Sequence, residues 1–227
     1  MGEPGGHGSQ NPDVISEMEH LDYLMRVVGV VLAAGESRRM GRLKALLPFG
    51  THTVIEHVLQ PLLQADLAAV AVVLGHRAAD IAAVIETLPV HLLHNPQYQH
   101  GMTTSVQVAM RDITPVPDAY LLALVDQPHL HLGLIQDLLA TFAHTRKGLV
   151  IPTYAGKRGH PIILSATYRQ EVLALGLDQG LNMVTRGHPD DTLEVPAPSD
   201  DILRDMDYPE EYAAELQRWN AQQQQTE

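Results

Sequence analysis

A regular alternation of strand-like and helix-like segments constrains the fold of this chain more than any other feature. The first segment, Val27–Leu32, is a continuous apolar run rich in β-branched residues, which is typical of a strand buried on both faces of a parallel sheet. Further strands are predicted at 70–74, 90–93, 120–125, 149–152, 161–164 and 192–195. Helices are predicted at 53–63, 77–88, 103–111, 132–142, 166–175, beyond 178 and from 209. The alternation predicts an α/β fold with a mostly parallel sheet and helices on both faces, in an undetermined strand order.

The length and composition suit one domain. The chain has 227 residues, of which 45% are apolar and 19% charged, enough for one sizeable core. We expect the domain to span residues 27–219, with a disordered N-terminal extension at 1–26 and a disordered tail at 220–227. Cysteine is absent, which excludes disulfides and thiolate metal sites. No signal peptide or membrane-spanning run is visible, so we expect a cytoplasmic protein without a membrane partner.

The distribution of charge points to a local anion site. A net charge of −12 argues against nucleic acid as a partner, since phosphate backbones would be repelled by most of the surface. Yet Arg38, Arg39, Arg42 and Lys44 place four of the fifteen basic residues within seven positions. Such a concentration in an acidic chain indicates a phosphate-bearing ligand.

These basic residues lie in and behind the loop Gly35–Gly41, which follows the first predicted strand. The loop matches neither the Walker pattern nor the dinucleotide-binding glycine spacing. Its glycines would still let backbone amides approach an anion, while Arg38 offers a planar donor fork and Lys44 a mobile charge. On these residues alone, a phosphate site and a solvated basic loop are equally good interpretations.

Two acidic segments are candidate metal sites. Asp126 follows an apolar strand, where a carboxylate could hold Mg²⁺ together with substrate phosphates or could cap the next turn. Asp205 and Asp207 lie two positions apart at a predicted helix start, so one could complete a metal site that the other supports. From spacing alone, capping of the helix by Asp207 is the better interpretation.

A basic turn and several histidines are further candidates. Lys157–Pro161 could recognise an anionic or heteroaromatic group, or could be an exposed hairpin loop. The pairs His91/His94 and His129/His131 have no convincing third ligand in sequence and are interpreted as surface histidines.

Six ordered motifs together resemble a known family. They are LAAGESRRMGRLK at 32–44, VLGHRA at 73–78, NPQYQHGMTTS at 95–105, LVDQP at 124–128, GKRGHPIIL at 156–164 and DMDYPEEY at 205–212. The chain resembles the MobA-like nucleotidyltransferases over residues 27–212, and within them the molybdenum cofactor cytidylyltransferases. The resemblance implies a three-layer, Rossmann-like nucleotidyltransferase fold and Mg²⁺-dependent transfer of CMP from CTP to the terminal phosphate of the molybdopterin cofactor, with release of pyrophosphate.

The resemblance also implies roles for individual residues. Arg38, Lys44 and Asp126 would be catalytic, and Asp126 and Asp207 would bind Mg²⁺. The nucleotide would contact Leu32, Ala33, Ala34, Gly35, Arg38, Lys44, Ser105 and Asp126. The pterin substrate would contact Asn95, Arg158, Gly159, His160 and Pro161. Partners would be CTP, the molybdopterin-type cofactor and a recipient molybdoenzyme or chaperone.

Departures from the family pattern leave alternatives open. Tyr208 and Glu211 replace the family's usual Thr and Asp, which affects the expected capping and the supporting role of Asp205. Ala34 stands where GMP-transferring relatives usually have glycine, which favours CTP over GTP. The alternatives are an enzyme of this fold that uses GTP or a sugar or polyol phosphate acceptor, and a non-catalytic carrier of the molybdenum cofactor.

Overall fold

The computed structural model describes residues 25–224. The remaining residues of the predicted N-terminal extension and tail, 1–24 and 225–227, lie outside this range. The strands are β1 (Val27–Ala33), β2 (Pro48–Phe49), β3 (His52–Thr53), β4 (Ala69–Leu74), β5 (His91–His94), β6 (Ala119–Leu124), β7 (Leu149–Tyr154), β8 (Lys157–Arg158), β9 (Ile162–Ser165) and β10 (Thr192–Pro196). The α-helices are α1 (Val54–Gln64), α2 (Ala78–Val84), α3 (Met102–Asp112), α4 (Leu132–Thr145), α5 (Arg169–Leu173), α6 (Asn182–Gly187) and α7 (Pro209–Gln224).

Seven strands form the main path of one sheet in the order β10-β7-β9-β6-β1-β4-β5, and β8 pairs with β7. The pairs of β1 with β4 and β6, of β4 with β5, and of β7 with β10 are parallel. Strand β9 runs antiparallel to both of its neighbours. The link from β7 to β9 contains only the short β8, and a parallel return would need a crossover of a dozen residues or more. The prediction of a mostly parallel sheet is confirmed.

Helices cover both faces of the sheet, as predicted. On one face, apolar residues of α1, α2 and α4 pack against alternate side chains of the central strands. On the other face, α3, α5 and α6 pack against the remaining alternate side chains. Every residue of β1 is buried, because β1 lies between β4 and β6 with helices above and below. The continuous apolar run at Val27–Leu32 is therefore explained by its central position.

Helix α1 begins where the sequence predicts. Thr53 and Glu56 form the expected capping box, in which each side chain binds the other residue's backbone amide. The hairpin of β2 and β3 just before it is not predicted by the sequence. Its turn residue Gly50 has φ of +62° and packs against the ring of Trp219, which leaves no room for a Cβ atom.

The C-terminal end of the domain differs from the prediction. Helix α7 continues to Gln224, five residues beyond the predicted domain end at 219, and thus includes most of the glutamine run. Glutamine is a good helix former, and the packing of Trp219 against the core holds this part of the helix in place. Within residues 25–224, no helix is both long and apolar enough to cross a membrane.

Candidate active site

A cavity of about 450 Å³ opens at the carboxyl ends of β1 and β6. Its walls are the loop after β1, the residues around Asp126 after β6, the segment that leads into α3, and Asp207 at the start of α7. Parallel α/β sheets bind their ligands at this edge, because the loops that follow neighbouring strands meet there. The structure therefore brings the basic loop and both predicted metal carboxylates to one cavity.

The glycine loop has the backbone geometry of a tight turn. Ser37 and Gly41 have positive φ values of 53° and 69°, and the amide of Gly41 donates to the carbonyl of Ser37 at 3.1 Å. The hydroxyl of Ser37 accepts a hydrogen bond from the amide of Lys44 at 3.1 Å. No atom beyond its chain neighbours lies within 4 Å of a Cβ built on Gly35, so the backbone there is open to a ligand. The loop can thus present amides to an anion.

Lys44 lies at the centre of the charged groups. Its side chain is 9% exposed, and Nζ donates to Oδ2 of Asp126 at 3.0 Å and to Oδ1 of Asp207 at 2.5 Å. Burial disfavours the charged amine, but the negative charge of Asp126 and the hydrogen bonds to both carboxylates outweigh it and raise the pKa of Lys44. The amine therefore stays protonated and holds the two carboxylates close together.

Asp207 does not cap helix α7, so the capping interpretation is wrong. Its carboxylate binds Lys44 and, at 2.6 Å, the guanidinium of Arg39. The cap is Glu211, whose carboxylate accepts from the amides of Asp207 and Tyr208 at 2.7 and 2.9 Å. The replacement of the family's Asp by Glu211 thus keeps the cap and leaves Asp207 free to face the cavity. Asp205 is exposed and takes no part in these ion pairs.

The two neighbouring arginines have different surroundings. Arg38, the predicted phosphate ligand, is 77% exposed and pairs with Glu36 at 2.6 Å at the outer rim of the loop. Arg39 pairs with Asp207, and its guanidinium lies 5.4 Å from the ring centre of Tyr208. Both line the cavity, but only Arg39 joins the charged cluster around Lys44. The sequence could not separate them, since both follow Ser37 in the same turn.

The wall opposite the loop is formed by residues before and within the first turn of α3. Leu32, Ala33, Ala34, Gly35 and Ser105 line the cavity, as expected for nucleotide contacts. Four further residues of this wall that the site prediction missed are Tyr98, Gln99, Gly101 and Met102. All four lie within the motif at 95–105, and that motif is the sequence signal that could have marked them.

Asn95 lies behind this wall rather than in it. It is fully buried, and its amide donates to the hydroxyls of Thr104 and Ser105 at 2.9 Å each. Its side-chain oxygen accepts from the amide of Gln97 at 2.9 Å. Asn95 therefore orients the segment that carries Ser105 and does not line the cavity.

The turn at 158–161 also lies outside the cavity. Arg158 pairs with Glu194 on β10 at 2.7 Å and donates to the carbonyl of Thr185 at 2.9 Å. Gly159 abuts the backbone of Ile202 so closely that a Cβ atom would not fit. His160 and Pro161 line a separate small pocket beside Gln127. Burial lowers the pKa of His160, against the opposing effect of the Asp126 charge.

The donor set around Lys44 suits a divalent cation only in combination with a substrate. Within residues 25–224, no group of three or more His, Asp or Glu side chains is arranged to hold a metal ion. Asp126 and Asp207 supply two carboxylates at the edge of a cavity large enough for a phosphorylated ligand. One or two carboxylates completed by substrate phosphates are the usual donors to Mg²⁺, and these two residues fit that pattern.

Fold and site together define a class of protein. A Rossmann-like α/β sheet that presents an open glycine loop, a buried lysine and two carboxylates at its carboxyl edge is a nucleotide-handling domain. Residues 29–192 match the model of the MobA-like NTP transferase domain. The chain belongs to this family, whose members include molybdenum cofactor nucleotidyltransferases.

Curated relatives have different names. The chain is 31% identical over 172 residues to nicotine blue oxidoreductase of Paenarthrobacter nicotinovorans, covering 72% of this chain and 83% of the relative. It is 31% identical over 162 residues to a probable molybdenum cofactor guanylyltransferase of Mycobacterium tuberculosis, covering 64% and 69%. It is 25% identical over 191 residues to the molybdenum cofactor cytidylyltransferase of Escherichia coli, covering 84% and 95%.

Solved structures share the fold. The Rv0371c protein of Mycobacterium tuberculosis superposes with a TM-score of 0.75 at 24% identity, over 85% of this chain and 98% of that one. Its complex with manganese superposes with a TM-score of 0.66 at the same identity and coverage. A nucleotidyl transferase of Methanothermobacter superposes with a TM-score of 0.75 at 23% identity, over 87% and 99%.

Proposed function

We propose that this nucleotidyltransferase transfers CMP from CTP to the terminal phosphate of the molybdopterin cofactor and releases pyrophosphate. The observation that carries the proposal is the position of Lys44, protonated and in contact with Asp126 and Asp207 at the wall of a cavity that also exposes the glycine loop. A nucleoside triphosphate needs both features, since its phosphates require cations and amide donors while a metal requires carboxylates.

The attacking group in such a reaction is already an anionic phosphate oxygen, so no general base is required. The work of the protein is to position the reactants and to neutralise charge. The amides near Gly35 would bind the triphosphate, and the ammonium of Lys44 would move from the carboxylates to the phosphate oxygens. Arg39, released in part from Asp207, would offset negative charge on the departing pyrophosphate.

Asp126 and Asp207 are the residues that would hold Mg²⁺. At these carboxylates the ion would supply Lewis-acid chemistry, that is, positive charge that neutralises the triphosphate. A relative of the same fold has been solved with manganese, which supports the use of a divalent cation.

The preference for CTP rests on Ala34. Its side chain is 5% exposed and lies in the cavity wall beside Gly35, where a methyl group reduces the space for a purine. The named relatives include both a cytidylyltransferase and a guanylyltransferase, so the base must be tested directly. An Ala34→Gly variant should lower the preference for CTP over GTP, and an unchanged ratio would contradict this role.

The decisive experiment measures pyrophosphate release in a matrix of nucleotides and acceptors. We expect release with CTP, Mg²⁺ and molybdopterin cofactor to be faster than with GTP, and faster than with sugar or polyol phosphates. An equal or inverted preference for GTP would contradict the base assignment. Release with a sugar phosphate alone would contradict the acceptor.

One relative is named as an oxidoreductase, so the experiment should also test this protein for oxidoreductase activity. A second arm measures oxidation of NADH or NADPH in the presence of candidate acceptors. Oxidation of NADH or NADPH without pyrophosphate release would overturn the proposed transfer of CMP. Binding of cofactor or CTP with neither activity would favour a carrier.

A further inference from the structure

A network of ion pairs lies beneath the active site, between helix α7 and two loops. Arg204 donates to Glu215 through Nε and Nη2 at 2.8 and 2.5 Å, and through Nη1 to Asp200 at 3.1 Å. Arg218 then contacts Asp200 at 3.2 Å and Asp201 at 2.8 Å. The network therefore joins α7 to the turn at 200–204.

The loop after β6 contacts the same network at two points. Nε2 of His129 lies 3.0 Å from Oε2 of Glu215 without the geometry of a directed hydrogen bond, and Nε2 of His131 lies 3.2 Å from Oδ2 of Asp201. Burial lowers the pKa of His129, more than the charges of Asp201 and Glu215 raise it, so this ring is neutral near pH 7. The buried carboxylate of Glu215 thus depends on Arg204 for its charged partner.

The position of these contacts connects them to the active site. His129 lies three residues after Asp126, and Glu215 lies on the helix that begins just after Asp207. The amide of Met206 also donates to the carbonyl of Asp126 at 3.0 Å. The two candidate metal carboxylates are 81 residues apart in sequence, and this network spans the two segments that carry them.

Stability alone does not account for the arrangement. Glu215 and Asp201 are only 4% and 7% exposed, and a buried ion pair is often no more stable than apolar residues of the same volume. Such a network instead fixes the geometry of the segments that it joins, because each charged group must stay within contact distance of its partners. The neighbouring apolar contacts of Trp219 and Tyr212 already hold α7 on the core.

We propose that Glu215 and Arg204 are positioning residues that set the distance between Asp126 and Asp207 and thereby the affinity for a metal–nucleotide complex. The inference rests on the proposed metal role of these two carboxylates. Neither residue lines the cavity, so an effect on binding would be indirect, and their contacts lead to the segments that carry Asp126 and Asp207.

The test compares the affinity for CTP in Mn²⁺ with the affinity for CTP in EDTA, by calorimetric titration of the intact protein without acceptor. GTP serves as a parallel probe. The wild type should bind the nucleotide more tightly with Mn²⁺. The gain from Mn²⁺ is the ratio of the affinity in Mn²⁺ to the affinity in EDTA. In Glu215→Gln and in Arg204→Lys this ratio should fall about tenfold, while the affinity in EDTA stays unchanged.

Tyr212→Phe is the matched control. It removes the 2.6 Å hydrogen bond from α7 to the carbonyl of Pro48, another anchor of the same helix outside the network. It should keep the full gain from Mn²⁺. Arg204→Lys retains the positive charge beside Glu215. It serves as the test variant if thermal unfolding shows that Glu215→Gln does not fold.

Each outcome separates the two proposals. An unchanged gain in folded Glu215→Gln and Arg204→Lys, together with a loss in Asp207→Asn, would overturn the positioning role alone. An equal loss in Tyr212→Phe would also overturn it, because any loosening of α7 would then suffice. A wild type without any gain from Mn²⁺, or an unaffected Asp207→Asn, would overturn the metal role and the inference with it.

Discussion

Lys44 has a single positive charge and contacts two carboxylates, those of Asp126 and Asp207. The positions of the two carboxylates therefore depend on the same ammonium group. The pair Asp126 and Asp207 would repel each other without it, since both oxygens face the same ammonium. Because Arg39 still pairs with Asp207, removal of Lys44 leaves the charge of Asp126 uncompensated in the region where the triphosphate is proposed to bind. Each carboxylate of the site therefore has a cationic partner, and Lys44 is the one that the two share.

At the residue scale, the first prediction concerns Asp126. Asp126→Asn keeps the shape of the side chain but removes the charge that would hold the metal, so kcat/KM for pyrophosphate release should fall by about a hundredfold or more. Steady-state kinetics at saturating Mg²⁺ measure the change. Asp205→Asn is the control, because Asp205 is exposed and outside the ion pairs. Near-normal turnover in Asp126→Asn would contradict the metal role.

The second residue-scale prediction separates the adjacent arginines. Arg39→Gln removes the 2.6 Å ion pair to Asp207, whereas Arg38→Gln removes an exposed pair with Glu36. We expect Arg39→Gln to reduce kcat at least tenfold more than Arg38→Gln, in the same pyrophosphate assay. A larger effect of Arg38→Gln would show that the nucleotide draws Arg38 inward and would restore its predicted catalytic role.

At the scale of elements, short-range signals are reliable because they depend on neighbours in the chain. The capping box at Thr53 and the apolar run of β1 are both present as predicted. The contacts of Asp207 could not be predicted from its neighbours in the chain. Its position suits a helix cap, but Glu211 takes the amides and Lys44, distant in sequence by 163 positions, takes the carboxylate.

An element-scale prediction follows for the start of α1. Thr53→Ala removes a hydroxyl that accepts from the amide of Glu56 and should lower the free energy of unfolding by about 1 kcal/mol. Chemical denaturation measures the change. Thr145→Ala, which removes an exposed hydroxyl bonded within α4 at 2.8 Å, should cost less. Equal losses would argue against a specific contribution from the capping box.

The turn at 159 yields a second prediction at this scale. Gly159 lies against the carbonyl of Ile202, and an added Cβ would collide with backbone rather than with a flexible side chain. Gly159→Ala should therefore destabilise the fold by roughly 1–3 kcal/mol, measured by denaturation. Gly133→Ala in α4, where an added Cβ would meet nothing within 4 Å apart from its chain neighbours and the backbone of its own helix, should be neutral or stabilising. A neutral Gly159→Ala would imply that the turn can move away from Ile202.

At the scale of the whole molecule, buried histidines near α7 should make stability depend on pH. Burial, reinforced by the charges of His129, His52 and His131, lowers the pKa of His57 to about 4. The unfolded chain, with an ordinary histidine pKa near 6.5, binds the proton first as pH falls. The contribution of His57 is therefore complete above pH 6.5 and is lost between pH 6.5 and 4.

This whole-molecule prediction can be measured by urea unfolding at several pH values. The wild type should lose about 2 kcal/mol through His57 between pH 7 and 4, less than the roughly 3 kcal/mol that the pKa difference alone implies, because solvent screens the half-buried ring. His57→Gln should be less stable at pH 7, because it loses the contacts with Phe49 and Trp219, and its stability should fall less steeply with acid. Parallel curves for the two proteins would contradict the assignment to His57.

The sequence by itself determined the alternation of the main strands and helices, the place of the glycine loop after β1, and the place of Asp126 after β6. Apolar periodicity, glycine placement and capping spacings are local properties, so they can be read without knowledge of distant contacts. Only the tertiary structure decided the order of the strands within the sheet. It also showed that Arg39 rather than Arg38 pairs with Asp207, and that Arg158 pairs with Glu194 outside the cavity. Those outcomes depend on which charged groups meet after folding, and the pairs Lys44–Asp126 and Lys44–Asp207 join residues 82 and 163 positions apart.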